Sequence, residues 1–390
     1  SLVGSEMCIR DSMWASSFHD LDPVQELLDY INQEKIQLDY ILNLSASPYV
    51  IGKNEKRINR GIEISHLFKA PFFYVNRVGG EDEILFDGNS FVVNGSEIKM
   101  TGKRFKSDII IVPKLEIETK YIAKGELSQS ETWEELFQAR LNFDKETARL
   151  ENWNDNTCQE VLEALCFGFQ EYARKSGFEK FTLALSGGMD SALVLTIMTL
   201  SLSKEQYIEA VYMPSIHSSS LSFELSLALC KNLNIPLKSL PIKFLHSTTK
   251  NLFGQTYPEP FEGLTDENVQ SRIRGMLLYT RSNQLDSMVV NTSNKSELAV
   301  GYSTQYGDSV GAISLLGDVY KSQVYRLAQF INKKFKNLIP EQIITREPSA
   351  ELREGQIDTQ SLPPYERLDA ILEGILNYSC LLYTSPSPRD

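Results

Sequence analysis

Apolar positions in the first third of the chain cluster in runs of strand length, at residues 40–44, 71–75, 84–86, 90–93 and 108–112. Ser47-Pro48, Gly79-Gly80, Asp87-Gly88 and Asn94-Gly95 separate them, the last a strong hairpin turn between two strand-like runs. Ile58, Ile62, Leu67 and Phe68 recur at helix-like intervals, which predicts a helix over 57–68 in an α/β layer rich in antiparallel pairs. Residues 113–155 are rich in Glu and Lys, with a helical turn at 133–137, and read as a linker plus a connecting helix. From Thr157 the period changes. Val161, Leu162, Leu165, Cys166 and Phe169 mark an amphipathic helix. Runs at 181–185, 208–213, 237–242 and 288–291 then read as strands, alternating with helices at 192–200, 219–233 and 268–282. Such alternation implies βαβ crossovers and a mostly parallel, doubly wound sheet with flanking helices.

Composition narrows the function classes. At 390 residues and 42% hydrophobic, the chain is long enough for two to three domains with their own cores. No apolar run approaches the roughly 20 residues of a membrane-spanning helix. The net charge of −12 argues against a nucleic-acid or anionic-membrane surface. Cysteines at 8, 158, 166, 230 and 380 include no C-x-x-C pair, which points to a reducing compartment, the cytoplasm, rather than a disulfide framework. Residues 1–12 and 380–390 lack apolar periodicity and resemble translated cloning or sequencing adapters. The expectation is that 13–379 is an internal fragment of a longer protein: 13–112 one domain, 113–155 the linker, 156–379 a second domain.

The most informative segment is Ser186-Gly187-Gly188-Met189-Asp190-Ser191, which follows a buried strand and opens an apolar helix. Adjacent glycines let backbone approach an anion closely, and the helix start offers unpaired N–H groups and its positive dipole end. Ser186 and Ser191 add hydroxyl donors, and Asp190 supplies a carboxylate for Mg²⁺ beside phosphate oxygens. A bare Gly-Gly also fits an ordinary strand-to-helix turn. The segment is neither a Walker loop nor a dinucleotide fingerprint. It resembles the pyrophosphate-binding loop of the ATP pyrophosphatase superfamily, whose members adenylate a substrate and release pyrophosphate.

The strand ending at Asn291 places residues 292–297 on the same rim of the sheet, because ligands of open parallel sheets sit beyond the carboxyl ends of the strands. Glu297 reads either as a second carboxylate near a shared metal or as a first-turn acid completing a cap with Ser293 or Asn294. Residues 268–279, 291–308, 317–328 and 346–372 resemble the NAD synthetase family in order and spacing. That resemblance implies an adenine nucleotide alpha hydrolase-like domain in which Ser186, Gly187, Gly188, Met189, Asp190, Ser191, Thr292, Lys321 and Ser349 bind ATP. It implies that Asn268, Arg272, Glu297 and Tyr302 bind deamido-NAD, that Asp190 and Glu297 match Mg²⁺ positions, and that Asp190 and Lys321 are catalytic. Arg272 and Arg274 lie two apart on a helix and cannot share a face, so one should point into the site. Gln305 and Ala312 stand where the short ammonia-using members carry substrate-binding charges, which favours the glutamine-dependent branch. The implied reaction adenylates the nicotinate carboxylate of deamido-NAD with ATP and then displaces AMP with ammonia. It calls for no protein nucleophile. Small-molecule partners and a dimer or larger homo-oligomer are implied as well.

Residues 42–53 and 70–95 resemble the later part of a nitrilase-type glutaminase, an α-β-β-α layer in which Ser47 and Lys53 match residues that contact glutamine. Read alone, they also fit a Ser-Pro turn followed by a solvated Lys. The family's Cys nucleophile precedes a Trp by four residues, and counting back from Trp14 reaches Arg10. No glutaminase nucleophile, and hence only ammonia as the nitrogen donor, is expected for this fragment. Two other readings compete: an inactive fragment with a binding or assembly role, and another ATP pyrophosphatase such as a tRNA thiolase. The missing C-x-x-C pair and the acidic balance count against the thiolase.

Overall fold

A computed structural model describes residue 13 and residues 22–112, 150, 153–203 and 205–376. The expected adapters, the helical turn at 133–137 and most of the expected linker lie outside the described residues. The chain divides into two compact units, Ser1–Asn142 and Phe143–Asp390.

The first unit runs α1 (Pro23–Glu34), β1 (Ile41–Ser45), α2 (Lys53–Phe68), β2 (Phe72–Asn76), β3 (Val78–Glu81), β4 (Ile84–Asp87), β5 (Phe91–Asn94) and β6 (Glu97–Thr101). Its four-stranded sheet has the order β1-β2-β5-β6, with β1 parallel to β2 and the other pairs antiparallel. Asn94 faces Glu97 across the predicted turn. Strands β3 and β4 form a separate hairpin. Helix α2 lays Ile58, Ile62 and Ile64 on Phe72, Tyr74 and Phe91. Gly61 permits this approach, since a Cβ there would stand 2.6 Å from a Phe91 ring carbon. One expectation fails here. Residues 108–112 form no strand, and Ile109 and Ile111 are 86% and 80% exposed. Three consecutive isoleucines look like a buried strand, but strand formation requires a pairing edge, and these find none among the described residues.

The second unit runs α3 (Asp155–Ser176), β7 (Lys180–Ala184), α4 (Met189–Ser201), β8 (Tyr207–Tyr212), α5 (Ser220–Leu233), β9 (Leu237–Ser239), α6 (Lys243–Thr256), α7 (Leu264–Leu285), β10 (Met288–Asn291), α8 (Lys295–Val300), β11 (Ile313–Ser314), α9 (Lys321–Phe335), α10 (Glu341–Thr345), a 3₁₀ turn (Asp358–Gln360) and α11 (Tyr365–Leu376). Five strands pair in the order β11-β10-β7-β8-β9, all parallel, giving the α/β sheet of adenine nucleotide alpha hydrolase-like type. Helix α4 is apolar nearly all round and lies in the core with Phe181, Leu183, Leu229 and Val324, as a fully buried helix must. Ile273 and Leu278 of α7 cover the opposite face against Val211 and Val289. The strand expected over 237–242 stops at Ser239: Pro241 has no N–H for a ladder, and Ile242 instead precedes α6.

Candidate functional site

Chain order places β7 at the centre of the second sheet, with β8 on one side and β10 on the other, so the carboxyl ends of β7 and β10 flank the switch point where ligands of open sheets bind. The residues after β7 make the tight loop. Gly187 has φ +80°, and a Cβ on it would sit 2.5 Å from the Ser222 carbonyl oxygen, so backbone strain and the α5 start both require glycine. Ser186 Oγ accepts the Gly188 N–H at 3.2 Å, and Ser191 Oγ donates to the Gly188 carbonyl at 3.2 Å. Gly188 caps α4 without a side chain, leaving first-turn N–H groups for an anion.

After β10, Asn291 steers the chain. Its Nδ2 donates to the carbonyls of Asp308 and Val310 at 2.9 and 3.0 Å, and its Oδ1 accepts the Ser293 N–H at 2.8 Å. Asn294 then caps α8, accepting the Glu297 N–H at 3.0 Å while its Nδ2 donates to Asp190 Oδ1 at 3.1 Å. The cap anticipated at 293 or 294 is therefore Asn294, and it leaves the Glu297 carboxylate in the cavity.

Lys321, the first residue of α9, closes the centre. Its ammonium donates to Asp190 Oδ2 and, at 3.2 Å, to Glu297 Oε1. Its side chain is 4% exposed. Burial disfavours the charged ammonium, but the carboxylates of Asp190 and Glu297 more than offset this and hold its pKa well above the ordinary lysine value. Burial pushes Glu297 up to about 7, with Lys321 pulling it back and Asp190 adding to the rise. The Tyr365 ring stands 5.3 Å from the Lys321 ammonium.

One cavity of about 400 Å³ gathers Ser186, Gly188, Met189, Asp190, Ser191, Asn268, Thr292, Glu297, Tyr302, Lys321 and Ser349. Asn268 Oδ1 accepts the Thr304 hydroxyl at 2.8 Å, and Ser349 Oγ donates to the Gln356 carbonyl at 2.5 Å. Arg272 lies outside this cavity, with its Nε donating to the Gln305 carbonyl at 3.2 Å, and lines a separate surface depression. Arg274 is the arginine that lines the cavity, held by the Met213 carbonyl at 2.9 Å. Burial lowers its pKa to about 10, which leaves it charged at neutral pH.

Sequence reasoning missed a fastening at the start of α5, beside the 186–191 loop. Glu351 accepts the hydroxyls of Ser219 and Ser222 at 2.9 and 2.8 Å, and Arg346 at 2.5 Å. The only available signal was a Glu two residues after Ser349. Ser47 and Lys53 belong to the first unit. Ser47 is fully buried: its N–H donates to Asn76 Oδ1 at 2.9 Å, and its carbonyl accepts Arg57 at 3.0 Å. Lys53 opens α2. Arg57 in turn grips both oxygens of Asp87 at 2.8 and 2.9 Å.

A parallel sheet with a glycine loop after its first strand and a lysine–carboxylate centre on the facing rim defines a nucleotide-binding α/β domain of the adenine nucleotide alpha hydrolase-like class. The family model described as NAD synthase matches residues 161–380, and the chain belongs to that family. It is 37% identical over 364 residues to the glutamine-dependent NAD(+) synthetase of Synechocystis, covering 93% of this chain and 59% of the relative. To that of Thermotoga maritima it is 39% identical over 351 residues, covering 85% and 59%. The solved glutamine-dependent NAD+ synthetase of Acinetobacter baumannii, in complex with ADP, superposes with a TM-score of 0.67 at 30% identity, covering 92% of this chain and 60% of that one. The chain thus spans about 59% of the length of these curated relatives.

Proposed function

We propose that the chain catalyses ATP-dependent amidation of deamido-NAD to NAD, releasing AMP and pyrophosphate. The observation that carries this reading is the buried Lys321 ammonium joined to Asp190 and Glu297 beside the 186–191 loop. A nicotinate carboxylate oxygen attacks the ATP α-phosphorus, and the bond to the departing pyrophosphate breaks. Ammonia then attacks the acyl carbon of the adenylate, AMP leaves, and the released proton passes to solvent. Positioning and electrostatics supply the acceleration. Ser186, Gly187, Gly188, Met189 and Ser191 cradle the phosphates, Lys321 neutralises charge growing on the leaving pyrophosphate, and Thr292 and Ser349 face the nucleotide. Asn268, Tyr302 and Glu297 face deamido-NAD, with Arg274 rather than Arg272 as the guanidinium toward an anionic group.

Asp190 and Glu297 fit magnesium. Such ions take one or two protein carboxylates with phosphates completing the shell, and two carboxylates already converge here on a cation, the Lys321 ammonium. When bound, the ion supplies charge neutralisation on the phosphates. Glutamine is the ultimate nitrogen donor of the whole protein in this reading, with Ser47 and Lys53 on the glutamine side, and ammonia is the species that attacks. A synthetase dimer is supported by exposed Met276, Tyr279 and Tyr306 around the depression of about 500 Å³ lined by Arg272. The free Cys158, Cys166 and Cys230 support a cytoplasmic setting. No helix among the described residues is long and apolar enough to cross a membrane.

Incubating the chain with deamido-NAD, ATP, Mg²⁺ and ammonium should give NAD and AMP in equal amounts. No NAD at saturating ammonium would overturn the reading for this chain, and an Asp190→Ala variant with full activity would overturn the site.

A further inference from the structure

We propose that Asp369, on α11, is a positioning residue for this reaction: its carboxylate holds the helices bearing Glu297 and Lys321 in the register at which one ammonium reaches both site carboxylates. The inference rests on the function proposed above.

Asp369 is fully buried and does not line the cavity, so it acts through its neighbours. Its Oδ1 accepts the Ser296 hydroxyl at 2.5 Å, and its Oδ2 accepts the Ser322 N–H at 2.8 Å. The Ser296 Oγ also accepts the Lys321 N–H at 2.8 Å. Ser296 precedes Glu297, and Ser322 follows Lys321. A single carboxylate therefore ties the backbone beside one charged site residue to the backbone beside the other.

Helix α9 needs this partner. It has no acidic residue in its first turn, and a cation occupies its first position, where the helix dipole disfavours positive charge. Asp369 provides the missing negative end from another helix, 47 residues away in sequence. Packing alone does not call for a carboxylate there. Leu368 and Leu372 already seat α11 against Tyr320, and a buried carboxylate is costly unless its hydrogen bonds are made. A misplacement of about 1 Å in an active site costs on the order of a hundredfold in rate.

The test compares Asp369→Asn, which leaves one acceptor for two donors, the Ser296 hydroxyl and the Ser322 N–H, with Ser296→Ala and the double variant. The readouts are ammonium-dependent NAD synthesis, amide hydrogen exchange at Lys321 and Ser322, and urea unfolding. Asp369→Asn should lower kcat by at least about thirtyfold with KM for ATP within about threefold, and Ser296→Ala by about fivefold. The double variant should be no worse than Asp369→Asn, because both break one link. Exchange at both amides should quicken in each variant. Unchanged kcat and exchange would overturn the inference, as would a loss that follows only the unfolding midpoint. If Asp369→Asn does not fold, Ser296→Ala decides: a fall in kcat with faster exchange supports the link, and parental values refute it. If the parent chain makes no NAD, the functional reading falls separately. Amide exchange then judges the register, with faster exchange supporting it and unchanged exchange refuting it.

Discussion

Each unit of the molecule buries a cation against carboxylate, and the two do so in opposite ways. In the first unit Arg57 is 0% exposed and spreads its fork over Asp87, the Ser47 carbonyl and the Pro48 carbonyl, so the pair is closed within the scaffold. In the second unit Lys321 offers a point charge to two carboxylates on the wall of a cavity. A planar guanidinium fixes geometry, whereas an ammonium facing two acids on a cavity wall can exchange partners with a phosphate. The first arrangement reads as architecture and the second as chemistry.

Arg57→Ala strikes the contrast hardest. It strands a buried Asp87 and should cost about 3–5 kcal/mol in the first unit. The expected readout is early urea unfolding with fast amide exchange in β2 and β5, and unchanged ATP binding by the second unit. Lys321→Met should do the reverse, lowering NAD synthesis about a thousandfold, or about 4 kcal/mol of barrier, with a smaller change in unfolding. A Lys321→Met chain that unfolds as readily as Arg57→Ala would erase the distinction. The glycines sharpen it further. Gly187→Ala places a Cβ against the Ser222 carbonyl at positive φ and should cost about 1–3 kcal/mol while weakening ATP binding about tenfold. Gly61→Ala, pressed on the Phe91 ring, should soften the first unit and leave ATP affinity alone. A last contrast is in pH. Burial holds Glu297 protonated to about pH 7 in the fold, against an ordinary value of 4.5. The stability it contributes is complete below that ordinary value and disappears as pH rises through about 7. Glu297→Gln should flatten the decline in unfolding free energy across that window.

Much of the second unit was legible because parallel strands buried on both faces leave continuous apolar runs. The strands at β7, β8 and β10 and the loop between β7 and α4 follow directly from such runs and from Gly187-Gly188. Helix α6 was not legible, because its Phe244, Leu252 and Phe253 are exposed and give no stripe toward a core. The separation of Arg272 from Arg274 was legible as a rule of helix geometry, but which of them enters the cavity depends on the Met213 carbonyl of a distant strand end. Asn294 was visible as a cap and not as a partner of Asp190. Asp369 carried no signal at all, since only folding brings it to Ser296, 73 residues away in sequence.

The start of α9 also sets a limit for protein engineering. A helix that opens with Lys and lacks an early acid is a standard target for stabilisation, because a Glu or Asp in its first turn ordinarily gains a few tenths to about 1 kcal/mol. At Lys321 an acid would instead remove the ammonium that pairs Asp190 with Glu297 and set a third carboxylate beside them, and at Ser322 it would crowd the buried Asp369 carboxylate. Acids at these two positions should therefore cost stability as well as turnover, so even screens that select for folding alone should leave both untouched.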